Sequence, residues 1–121
     1  MLRYRCNAGT TAKAIKALKN IKKLGLIHRV VGKRYTTTLK EGYSSVREVV
    51  YLYGENGTAR FLGFCWGYSG EGPRGLYRLL QLIGLSSEDS EKIAFHTKRL
   101  DTFGIDWEII IQKNGNYKII S

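Results

Sequence analysis

The chain has 121 residues, room for one domain with a modest core, and a 43% hydrophobic content that excludes a disordered chain. No apolar run approaches the roughly 20 residues of a membrane-spanning helix. The formal charge is +10, and the excess lies in residues 1–40, where eleven Lys/Arg stand without one Asp or Glu, against nine basic and ten acidic residues in the other 81. Charge meant for solubility is spread over a surface, so this asymmetry points to an anionic partner. Two cysteines, Cys6 and Cys65, make no disulfide scaffold. With no signal peptide legible at the start, the expected setting is a reducing, cytoplasmic one.

Residues 3–6 read as a short strand. Thr10 or Thr11 is a suitable N-cap for an amphipathic helix over about 11–24. Ala14, Ile15, Ala17, Leu18, Ile21 and Leu24 fall on one side of that helix, and Lys13, Lys16, Lys19, Lys22 and Lys23 on the other. Gly25 is a natural stop. Residues 26–31 and 34–39 are rich in β-formers and flank Gly32-Lys33, the signal of a two-residue hairpin. A second hairpin is expected from 46–53 and 58–66, around the turn cluster Gly54-Glu-Asn-Gly57.

An apolar run, 61–66, then enters Gly67-Tyr-Ser-Gly-Glu-Gly-Pro-Arg-Gly75 and a leucine-rich helix of about 73–83. Four glycines in nine positions require close approach or positive φ, and Pro73 suits a first helical turn. Ser86 and Asp89 have capping-box spacing and open a helix of about 87–103. Residues 107–112 and 117–120 flank Asn114-Gly115, a strong hairpin signal. Strands arranged in hairpins with about three helices predict an α+β domain with a mainly antiparallel sheet. It would be one domain over 1–121, a basic helix–hairpin segment (1–40) joined to a glycine-turn scaffold (41–121).

Gly70-x-Gly72-x-x-Gly75 has the spacing of a dinucleotide fingerprint. The following element reads as a second helix, not the parallel strand of a βαβ unit, and Pro73 interrupts the motif. The turn is explained first by tight strand–helix packing. An anion pocket over Tyr68, Gly70, Gly72, Arg74 and Arg78 is the alternative, since helix-start N–H groups attract phosphate.

Phe64, Trp66, Gly67, Tyr68, Gly70, Gly72, Pro73, Leu76 and Leu80 resemble an uncharacterised family of small bacterial and phage proteins. That family has a Phe-x-Trp-Gly-Tyr-Gly-Gly-Ser-Gly-Pro signature, and the resemblance covers about 46–112. Ser69, Glu71 and Arg74 depart from its pattern. The resemblance implies a fold and a bacterial or phage origin. Residues 15–38, through Leu18, Ile21, Lys23-Leu-Gly-Leu-Ile27 and Arg29–Thr37, resemble the recognition helix and wing of a winged helix-turn-helix domain. That likeness implies a helix in a groove and wing cations on phosphate, although only about ten residues precede the helix where the family needs two more helices.

The five helix lysines have no acidic partner at i,i+4, so their repulsion is unrelieved until an anion binds. Tyr4 and Tyr35 are candidates for base stacking. His28 and His96 are the only histidines, and nothing has metal-ligand or nucleophile-elbow spacing. The expectation is a small non-enzymatic protein without cofactor or metal. It would bind a phosphate-rich ligand, foremost nucleic-acid backbone, through Lys13, Lys16, Lys19, Lys23, Arg29, Lys33 and Arg34. Two alternatives use the same charge. One is a phage-type sponge that sequesters a cyclic oligonucleotide or ADP-ribose-type signal in the glycine-turn pocket. The other is an inhibitor docking on an acidic protein surface.

Overall fold

The computed structural model describes residues 2–6, 16, 18–38, 42, 44–97, 99–100 and 103–120. It is α+β, as the pattern predicts. A six-stranded sheet has the order β1-β4-β3-β2-β7-β8, with β1 Leu2–Cys6, β2 Ile27–Thr38, β3 Ser44–Gly54, β4 Gly57–Phe61, β7 Trp107–Ile111 and β8 Tyr117–Ile120. Five of these strands are antiparallel neighbours, and β1 joins the edge parallel to β4. Two α-helices, α1 Glu71–Leu82 and α2 Ser87–His96, cover one face. A separate ribbon pairs β5 Arg99–Leu100 with β6 Phe103–Gly104.

The core lies between the helices and that face. Val30, Val50, Leu52, Ala59, Phe61, Trp107 and Ile109 from the strands meet Leu76, Leu79, Leu80, Ile93 and Ala94 from the helices. Alternation sends every second strand residue there, which leaves the other set on the opposite face.

The hairpins at 54–57 and 114–115 form as the turn residues predict. The first strand and the Ser86 cap also form, with the Ser86 hydroxyl accepting the Asp89 N–H at 3.1 Å. The expected strand 58–66 stops at Phe61, and the helix expected at 73–83 starts two residues earlier, at Glu71.

Three expectations are corrected. The hairpin around Gly32-Lys33 does not form: β2 runs unbroken through both residues for 12 positions. Gly32 is needed for contact, because a Cβ there would lie 2.2 Å from Cε2 of Trp107. Within the helix expected at 11–24, residues 18–24 wind as a 3-10 helix; Lys16 is helical, and 11–15 and 17 lie outside the described residues. Ile21 and Leu24 are three apart, the period that 3-10 winding aligns. Leu24 is buried and its carbonyl accepts the Asn56 N–H at 2.9 Å. The helix expected to reach 103 ends at His96. Thr97 turns extended, which ends the helix, and its hydroxyl donates back to the Ile93 carbonyl; the β5–β6 ribbon follows.

Candidate nucleic-acid interface

The strand register builds this site. Arg29, Val31, Lys33 and Tyr35 of β2 alternate with Val30, Gly32 and Arg34, so they share the face turned from α1 and α2. Arg29 pairs with Tyr53, Val31 with Tyr51, Lys33 with Val49 and Tyr35 with Arg47. Tyr53 pairs onward with Thr58, and Tyr51 with Arg60. On the other side Arg29 pairs with Ile110 and Val31 with Glu108, which pair in turn with Lys118 and Ile120. Five cations, Arg29, Lys33, Arg47, Arg60 and Lys118, therefore surround three tyrosines on one sheet face. Glu108 is the one acid at a paired strand position on that face among the described residues, and Asp106, just before β7, accepts the Arg34 backbone N–H beside it. At its far edge Arg3 and Arg5 sit in register beside Thr58 and Arg60.

The side chains interlock. Tyr51 and Tyr53 lie nearly parallel, with ring centroids 6.5 Å apart. The Tyr35 and Tyr51 hydroxyls share a 2.8 Å hydrogen bond. The Arg29 guanidinium stands 5.1 Å over the Tyr53 ring, and the Lys33 ammonium 5.4 Å over the Tyr35 ring. Arg29 also donates from Nε to Glu108 at 2.5 Å, a partly exposed pair that adds little stability. Burial, and then the hydrogen bond to Tyr35, push the Tyr51 phenol up to about 12, so it stays neutral across physiological pH. Tyr35 is 39% exposed, Ile110 42% and Ile120 41%. A surface of rings and cations can stack bases and neutralise phosphates.

The structure sorts the residues expected from the sequence. Arg29 and Lys33 come together on this face. Arg34 does not: it belongs to the helix-side alternation, faces Glu48 in register, and its backbone N–H donates to Asp106 at 2.8 Å. Lys16 and Lys23 are exposed on the 3-10 side of the molecule. Lys19 belongs to the 3-10 helix, and Lys13 lies outside the described residues. Arg47, Tyr51, Tyr53, Arg60 and Lys118 were missed. For the three on β3 the signal was the alternation Arg47-x-Val49-x-Tyr51-x-Tyr53, opposite in phase to Val50 and Leu52; Arg60 and Lys118 join them only through the register.

In the glycine turn, the glycines are filled by the chain's own side chains. A Cβ on Gly70 would meet the Tyr68 ring at 2.7 Å, and one on Gly72 would meet Cys65 Sγ at 2.1 Å. The Tyr68 hydroxyl lies 2.9 Å from that sulfur. Arg74 folds back to donate to the Gly70 carbonyl at 3.3 Å, while Arg78 is exposed one turn on. Gly67, at φ 89°, donates to the Ala94 carbonyl at 2.8 Å and ties the turn to α2. A cleft of about 460 Å³ elsewhere is walled mainly by Ile21, Ile27, Leu82, Ile83 and Ile111, and is apolar in character.

Among the described residues no helix is long and apolar enough to cross a membrane, and no cluster of His, Cys, Asp and Glu has the makings of a metal site. No protein-family model matches this chain, and no curated protein or solved structure matches it either.

Proposed function

We propose that this chain is a non-catalytic binding protein that holds the phosphate backbone of nucleic acid against the helix-free face of its sheet. One observation carries the reading: Arg29, Lys33, Arg47, Arg60 and Lys118 share that face with Tyr35, Tyr51 and Tyr53, where Glu108 is the one carboxylate at a paired strand position among the described residues. Arg29 and Lys33 bring part of the basic first third onto this face, while Arg47, Arg60 and Lys118 come from the charge-balanced remainder of the chain. Lys16 and Lys23 widen the positive field without belonging to the face, and long-range attraction speeds encounter. Phosphate binding releases condensed counterions, so affinity is steep in salt and tolerant of sequence.

The test is a comparison of two charge reversals by fluorescence anisotropy with a labelled oligonucleotide at about 50 mM salt. Lys33→Glu with Arg47→Glu lowers affinity by at least about tenfold, whereas Lys16→Glu with Lys23→Glu lowers it several-fold less. Both variants change exposed residues and keep the wild-type unfolding midpoint. The reverse order of effects would move the site off the sheet.

A further inference from the structure

We infer that the ligand of this face is a single strand, whose bases take the ring faces that Arg29 and Lys33 now cover. The inference rests on the nucleic-acid reading above and adds to it the class of ligand and the way it is seated.

The two cations act as placeholders. Arg29 lies over Tyr53 and Lys33 over Tyr35, each within cation–π distance, and both heads are exposed. An exposed cation–π contact is weaker than the stacking of a base on an aromatic ring. A base that settles on Tyr35 or Tyr53 therefore gains by the exchange. The displaced guanidinium or ammonium stays on its tether beside the ring, where the phosphates flanking that base must lie. One movement thus provides both a stack and a charge contact.

The platform is built before the ligand arrives. The hydroxyl bond between Tyr35 and Tyr51 ties β2 to β3 across the face. Tyr51 and Tyr53, nearly parallel at 6.5 Å, offer adjoining rings along one strand. Ile110 and Ile120, both exposed, add apolar contact toward β8 between Glu108 and Lys118. A duplex cannot use any of this, because its base faces are already stacked on each other. It reaches the cations only through phosphate, and phosphate contact alone does not need the rings.

Three probes separate these terms: an oligothymidylate, a duplex of the same length, and an abasic deoxyribose-phosphate strand of that length. The oligothymidylate binds wild-type protein at least about tenfold more tightly than either of the others. Tyr35→Ala and Tyr53→Ala each cost about tenfold for oligothymidylate and under about threefold for the abasic strand. Tyr35→Phe keeps the stack, and the slope of affinity against salt is unchanged in all three variants. The abasic probe needs no variant, so the inference stays exposed to refutation if Tyr53→Ala does not fold. Equal binding of all three probes overturns the single-strand inference and leaves the backbone reading standing. If none of the three binds at low salt, both fall.

Discussion

Gly32→Ala is the most demanding test of the fold that presents this face. An ideal Cβ at Gly32 sits 2.2, 2.4 and 2.5 Å from Cε2, Nε1 and Cζ2 of Trp107. The ring has little room to yield. Trp107 is 2% exposed and meets Trp66 edge-on, at 5.5 Å and 78°. Trp66 is itself held, its backbone N–H by Glu48 at 3.0 Å and its indole N–H by the Ile105 carbonyl at 2.8 Å. Overpacking a filled core costs about 1–3 kcal/mol, and losing the edge-to-face pair about 0.5–1.5 kcal/mol more. The variant is therefore about 1.5–4.5 kcal/mol less stable, which in a domain of this length lowers Tm by roughly 5–25 °C. Gly32 is not among the glycines at positive φ, so the cost is one of contact and not of backbone conformation. Denaturant unfolding followed by tryptophan emission reads this directly, since Trp66 and Trp107 are the only tryptophans. Pairing Gly32→Ala with Trp107→Leu gives a total cost smaller than the sum of the two single costs. A Gly32→Ala protein within about 0.5 kcal/mol of wild type would falsify the seat assigned to this glycine.

Gly72→Ala destabilises by about 1–3 kcal/mol through collision with Cys65 Sγ, and adding Cys65→Ala restores most of it; thermal melts of the single and double variants check this. The raised Tyr51 phenol gives a pH signature with a definite sign. Its neutral form is favoured in the fold, so above pH 10 the unfolded chain gives up this proton first, and stability falls as pH climbs from 10.0 toward about 12. An ultraviolet titration of phenolate absorbance follows this late ionisation. In Tyr35→Phe that ionisation moves down, because one of its causes is removed, while burial, the larger cause, remains.

Legibility from the sequence followed how local each signal was. The Asn114-Gly115 hairpin, the 54–57 turn and the Ser86 cap were readable because each depends on residues within a few positions. Gly32 was misread because its reason is 75 positions away, in Trp107, and a glycine that admits a ring looks like a glycine that turns a chain. The end of α2 was overrun for a similar reason. Helical spacing continues through Leu100 and Phe103, whereas the extended backbone at Thr97 ends the helix and Arg99–Leu100 pairs with Phe103–Gly104. Of the site, the charge was legible and the place was not. Half of the face comes from β3 and β4, and only the register puts Tyr51, Tyr53, Arg47 and Arg60 beside Arg29, Lys33 and Tyr35.

In the proposed function, these strand cations meet phosphates together. The logarithm of the association constant for a single-stranded oligonucleotide, plotted against the logarithm of salt concentration, counts them. Three to five contacts at about 0.7 each give a slope of about −2 to −3.5, a loss of roughly 15- to 130-fold between about 50 and 200 mM salt. A slope that flattens by about 1.4 when Lys33 and Arg47 are both replaced by alanine completes the expected result. Binding that is undetectable at low salt, or that keeps a slope near zero, would contradict it.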